Sequence, residues 1–150
     1  MTIATILEDF PGEFQLGAGA GKEDIAACER ALGVTFAGSF ADYLKTYGWL
    51  SFGAHEVFGL GSGIAPWQRL TENNLSERQD ARPPLPPFLV TFYNDGFGNQ
   101  HCLDTRETVA GEHRIVLWNH ELGADQSPGL LAPSFADWLR MMCESERDES

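Results

Sequence analysis

Three side chains of this 150-residue sequence, Cys102, Asp104 and His120, are of the types that make a cysteine nucleophile, its base and the group that orients the base. A thiol attacks as the thiolate, and at neutral pH it needs a nearby imidazole to become one. The spacing of the three permits contact across a sheet without requiring it. Cys102 stands in an apolar strand context, where cysteine behaves as a small core hydrophobe, so the packing reading is preferred and no catalytic residue is assigned.

Other chemistries are weaker still. A zinc site drawn from His101, Cys102, His113 and His120 lacks any pair with chelating spacing, and adjacent strand residues point to opposite faces. Asp95 and Asn99 supply oxygen atoms in a glycine-rich stretch, but the ligand rhythm and closing Glu of a calcium loop are missing. Turn chemistry explains them better: Asp and Asn bond their own backbone, and Gly96 and Gly98 take positive φ. No phosphate loop of the G-x-x-x-x-G-K-[ST] type occurs, and Gly59, Gly61 and Gly63 lack the helix start and acidic partner of a dinucleotide site. The expectation is a domain without cofactor or metal.

The charge balance points to binding. Lys and Arg number 10 against 22 Asp and Glu, a formal net charge of -12. Such a field repels nucleic acid and anionic lipid and attracts basic surfaces, although it also serves solubility. Cys28, Cys102 and Cys143 are far apart, odd in number and free of C-x-x-C spacing, which suits free thiols in the cytosol. Neither a leader with a basic and an apolar region nor a run of eighteen apolar residues is present, so neither secretion nor membrane insertion is expected.

A chain of this length with 43% hydrophobic residues supports one core and one domain. Residues 1–21 read as an N-terminal arm, with Pro11-Gly12 breaking a short apolar rhythm and the stretch from Gly17 to Gly21 flexible. Ile25, Cys28 and Leu32 predict a helix over about 22–32, closed by Gly33. Ser39 with Asp42 reads as a capping box opening a second helix striped by Phe40, Tyr43, Leu44 and Tyr47. Residues 49–61 predict one or two short strands, and an exposed helix anchored by Leu70 and Leu75 follows Pro66. Arg82 to Pro87 is a stiff lead-in to a hairpin, Phe88–Tyr93 and Gln100–Asp104, with a further strand at Arg114–Trp118. Ser134 and Asp137 cap a last helix striped by Phe135, Trp138, Leu139 and Met142, and residues 144–150 read as a frayed tail. Trp118, Phe135 and Trp138 read as core. Trp49 and Trp67, beside glycine or proline, are candidates for an interface or for capping the core.

These signposts also carry a resemblance. Ile25 with Glu29 and Leu32-Gly33, Tyr43-Leu44 with Tyr47-Gly48, Asn94 to Asn99 leading into Cys102-Leu103-Asp104, Trp118 with His120-Glu121, and Ser134-Phe135 with Trp138-Leu139 occur in the order seen in the SUKH superfamily. The chain resembles that superfamily over about residues 22 to 140. Phe36-Ala37 replace the Leu-Pro pair with which the family usually enters its second helix, a change that touches only that boundary.

The fold expected is α+β, with helices against an antiparallel sheet of about four to six strands. The resemblance implies a non-catalytic protein-binding domain: an immunity protein that neutralises a cognate toxin with a basic surface, such as a nuclease, in a polymorphic toxin system. The alternatives are a regulatory module of the cell-wall-synthesis type or a small Cys-dependent enzyme. Hairpin tips and loops present Glu56, Asp95, Glu107 and Glu121 as candidate charges, with Trp67 as the anchor.

Overall fold

The computed structural model describes residues 2–12 and 14–149. Along them lie α1 (Ile3–Asp9), β1 (Phe14–Leu16), α2 (Lys22–Leu32), α3 (Gly38–Thr46), β2 (Leu50–Phe52), β3 (His55–Val57), a 3-10 turn (Pro66–Gln68), α4 (Leu70–Gln79), β4 (Leu89–Asn94), β5 (Asn99–Asp104), β6 (Ile115–Asn119), β7 (Gly129–Ala132) and α5 (Phe135–Glu149). The fold is α+β, and its strands form two antiparallel sheets, ordered β1-β2-β3 and β4-β5-β6-β7. The larger sheet is the expected hairpin and strand extended by β7. The smaller one gains β1 from the N-terminal segment.

That segment is more ordered than its sequence predicts. Thr2 caps α1, Ile3, Ile6 and Phe10 are buried, and α1 packs on α5, where Arg140 reaches Asp9. The glycine stretch is not a flexible joint. Gly17 and Gly19 donate to the carbonyls of Trp49 and Tyr47 at 3.1 and 2.9 Å, and a Cβ on Gly17 would stand 2.5 Å from the Trp49 ring. Glycine is needed there for close approach. Trp49, half-buried with its Nε1 donating to the Ser62 carbonyl at 3.0 Å, caps the core.

The two SFAD segments behave differently. At Ser134 the capping works as expected: its Oγ accepts the Asp137 amide at 3.0 Å and donates to the Asp137 carboxylate at 2.8 Å. The box expected at Ser39 does not form, because α3 starts at Gly38 and Ala37 is the cap residue. Glu112, from the connection between β5 and β6, accepts instead from the Ser39 amide at 3.0 Å and its hydroxyl at 2.9 Å. A distant carboxylate thus supplies the negative group that a helix start favours.

The main core joins Phe40 and Tyr43 of α3, Phe92 of β4, and Phe135 and Trp138 of α5. Phe40–Phe135 and Phe92–Trp138 meet edge-on, with centroids 5.1 and 4.7 Å apart. Such pairs contribute about 0.5–1.5 kcal/mol each beyond their buried area. A smaller core on the sheet's other face holds Leu85, Leu89, Cys102, Val116 and Trp118. The proline-rich lead-in supplies Leu85, so β4 and β5 are covered on both sides.

The free edge of β4 is also closed. Asn74 of α4, fully buried, accepts the Thr91 amide at 2.8 Å and donates to the Thr91 carbonyl at 2.9 Å. Phe58 donates to the Phe92 carbonyl at 2.8 Å, tying the segment after β3 to the larger sheet. Covering a sheet edge removes a template for unwanted strand pairing. Residues 144–149, expected as frayed, continue α5, and Glu146 lies 2.8 Å from His55; Ser150 is outside the described residues.

Candidate functional site

Glu56 lies on edge strand β3, Trp67 in the 3-10 turn before α4, and Asp95 in the turn between β4 and β5. The fold brings all three to one cleft of about 450 Å³, which Phe58, Asn73 and Tyr93 also line. The Trp67 indole N–H donates to Glu56 at 2.9 Å, and the Asn73 side-chain amide donates to the Trp67 carbonyl at 2.9 Å. The indole is therefore oriented while remaining 66% exposed. Asp95 shapes its own turn, accepting the Phe97 and Asn99 amides at 2.8 and 3.2 Å. The same turn bonds, and not cation ligation, account for Asp95 and Asn99 in this glycine-rich stretch.

Glu121 follows β6. Because Asn99 pairs with Asn119, Glu121 sits at the same end of the sheet as Asp95. Glu107 does not. It follows β5 at the opposite end and pairs with Arg114 at 2.6 Å, beside a larger depression of about 620 Å³ that also holds Glu29, Arg30, Thr35 and His113.

Two bulky groups on the Asp95 side escaped the sequence reading. Phe97 is 83% exposed at the turn tip and Leu122 is 65% exposed after Glu121. An aromatic side chain amid Gly96, Gly98 and turn-forming Asn and Asp has no strand to bury it, and that was the available signal.

A half-buried polar chain runs inward from the cleft wall. The Tyr93 hydroxyl is 2.5 Å from His55 Nδ1, and His55 Nε2 is 2.8 Å from Glu146. Burial, helped by Asp95 and Glu146, pushes the Tyr93 phenol up to about 12, so it stays protonated. The Tyr93 ring meets His101 edge-on at 4.9 Å, and the Trp138 indole N–H donates to His101 Nδ1 at 2.9 Å. Burial lowers the His101 pKa to about 4, Asp95 opposing the shift and His55 adding to it. These residues are scattered through the sequence, and only the register of β4 against β5 and the path of α5 assemble them.

The cysteine constellation does not assemble. Cys102 is fully buried, its thiol pushed far up by burial. Asp104 is bound to Arg106 at 2.8 Å. Cys102 pairs with Val116, and His120 stands four residues on, in the turn past the end of β6, about 13 Å away along the chain at strand rise. The zinc candidates are likewise dispersed: His101 faces Trp138, Cys102 the smaller core, and His113 accepts the Ala37 amide at 3.0 Å. Among the described residues no group of three His, Cys, Asp or Glu side chains is placed to hold a metal ion. No described helix is long and apolar enough to cross a membrane.

Comparison with known proteins agrees with this architecture. A crystal structure of a protein from Pseudomonas syringae pv. tomato is similar in fold, with a TM-score of 0.63 at 16% identity over 92% of this chain and 96% of that one. No curated protein matches the sequence. The family model described as SMI1-KNR4 cell-wall, SUKH_6, matches residues 22–139, from the first residue of α2 into α5. The chain belongs to that family, and through it to the SUKH superfamily.

Proposed function

We propose that this domain is a binding module that holds a basic partner protein at the cleft between β3, α4 and the β4–β5 turn, and that it acts as an immunity protein against a cognate toxin. The observation that carries the reading is the convergence of Glu56, Trp67 and Asp95 from three separate segments, bordered by the exposed Phe97. Protein interfaces are built around a few aromatic anchors, and clustered acidic groups of a chain with net charge -12 speed encounter with a basic surface. Burial of Cys102 and its distance from His120 favour binding over thiol chemistry. The working location is the cytosol, where free thiols persist.

The test is co-expression with toxins encoded beside the gene, since immunity proteins are generally encoded next to the toxins they neutralise. Rescue of growth together with a stable complex is the expected result. Failure of every neighbouring product both to be neutralised and to bind would overturn the reading.

A further inference from the structure

The chemistry left unspent in the cleft defines what it takes. Three of its donors are occupied: the Trp67 N–H is on Glu56, the Tyr93 hydroxyl is engaged with His55, and the Asn73 amide serves the Trp67 and Arg69 carbonyls. What remains is the exposed indole, the Asn94 side-chain amide, and the further acceptor capacity of Glu56 and of Asp95, whose second oxygen stands 4.0 Å from His101 Nε2. No Lys or Arg lines the cleft, and His55 is held between Tyr93 and Glu146. The larger depression, by contrast, mixes Glu29 and Glu107 with Arg30.

An acceptor-rich pocket with an aromatic wall takes a donor-rich cation. Resting on the partner-binding reading above, we infer that the cleft seats an arginine side chain of the partner, its guanidinium stacked on the Trp67 indole and bonded to Glu56 and Asp95. A guanidinium is planar, always charged and weakly hydrated, so it stacks on an indole while its edge donates to carboxylates; an ammonium offers charge without the plane. The Glu56–Trp67 bond fixes the indole before the ligand arrives, which lowers the ordering cost of binding.

The experiment titrates the 150-residue chain with N-acetyl-argininamide and follows the Trp67 indole N–H and Asn73 side-chain amide signals by NMR. The neutral isostere N-acetyl-citrullinamide and N-acetyl-lysinamide serve as controls. The expected result is a saturable shift with half-saturation on the order of 10 mM, weakened by salt and at least roughly threefold weaker for the controls. It should vanish in Trp67→Ala and weaken severalfold in Glu56→Gln, while Glu107→Gln, at the far end of the sheet, leaves it unchanged. No saturable shift at Trp67, or an equal response to either control, overturns the inference. A chain that neutralises its toxin yet ignores argininamide refutes this seat alone. A chain that takes argininamide but captures no neighbouring product keeps the seat and loses the immunity reading.

Discussion

The Trp138 indole N–H donates to His101 Nδ1 at 2.9 Å, which commits the other imidazole nitrogen to carry the proton of the neutral ring. Protonating Nδ1 would set one donor against another in a buried site. With its pKa lowered from 6.5 to about 4, His101 is uncharged in the fold where the unfolded chain already takes up a proton. Its contribution is therefore fully present above pH 6.5 and is lost as the pH falls toward 4. Between pH 7 and pH 5 the loss is about 2 kcal/mol. Urea unfolding at the two pH values should show a correspondingly smaller decrease for His101→Asn, which removes the titration. Equal decreases in both proteins would show that His101 does not set the acid sensitivity.

All three cysteines are buried, and burial outweighs the Thr91 hydrogen bond that pulls the Cys102 thiol back toward its ordinary range. The folded chain should resist an aromatic disulfide reagent at pH 8 and release three thiols once unfolded in guanidinium. Cys102→Ala should cost about 1 kcal/mol through lost packing and leave partner binding unchanged. Labelling of Cys102 in the native protein at the rate of a free thiol would contradict this account.

Elements with strong periodicity or turn chemistry were legible in the sequence. The α2 stripe of Ile25, Cys28 and Leu32 ends at Gly33, whose φ is 69°, and the β4–β5 hairpin is set by its own glycines and Asx bonds. Elements held by tertiary contact were not. In α1 and its C-cap, Ile3, Ile6 and Phe10 carry a helical rhythm too short to stand alone, and α5 makes it stable. Strand β7, Gly-Leu-Leu-Ala, gains its identity from pairing with β6. Within the cleft, the exposed Trp67 and the half-buried Asp95 were readable as turn and loop residues. His55, Tyr93, His101 and Glu146 meet only through register and helix packing.

Glu112 acts as a distant cap, accepting from Ser39, whose Oγ in turn accepts the Ala136 amide of α5 at 3.0 Å. One carboxylate thereby joins the starts of two helices. Glu112→Ala should destabilise by about 2 kcal/mol, and Ser39→Ala by a similar amount. Because each loss removes the same linkage, the double variant should cost clearly less than the sum. Strict additivity in chemical denaturation would show that the two residues act independently.

Position on the sheet separates the acidic residues by role in association. Glu121 shares the Asp95 end with the exposed Phe97 and Leu122, whereas Glu107 occupies the far end and is already paired with Arg114 at 2.6 Å. A rim charge acts chiefly on the encounter rate, and a buried aromatic anchor chiefly on dissociation. With the cognate toxin in hand, Glu121→Gln should slow association roughly two- to fivefold at low ionic strength, an effect that fades as salt shortens the Debye length. Glu107→Gln should leave both rates unchanged. Phe97→Ser should speed dissociation at least roughly tenfold with little change in association. Stopped-flow or surface-binding kinetics at two salt concentrations distinguishes these outcomes. If Glu107→Gln slows association as much as Glu121→Gln, attraction comes from the net charge of the whole chain and the cleft end has no privileged part in it.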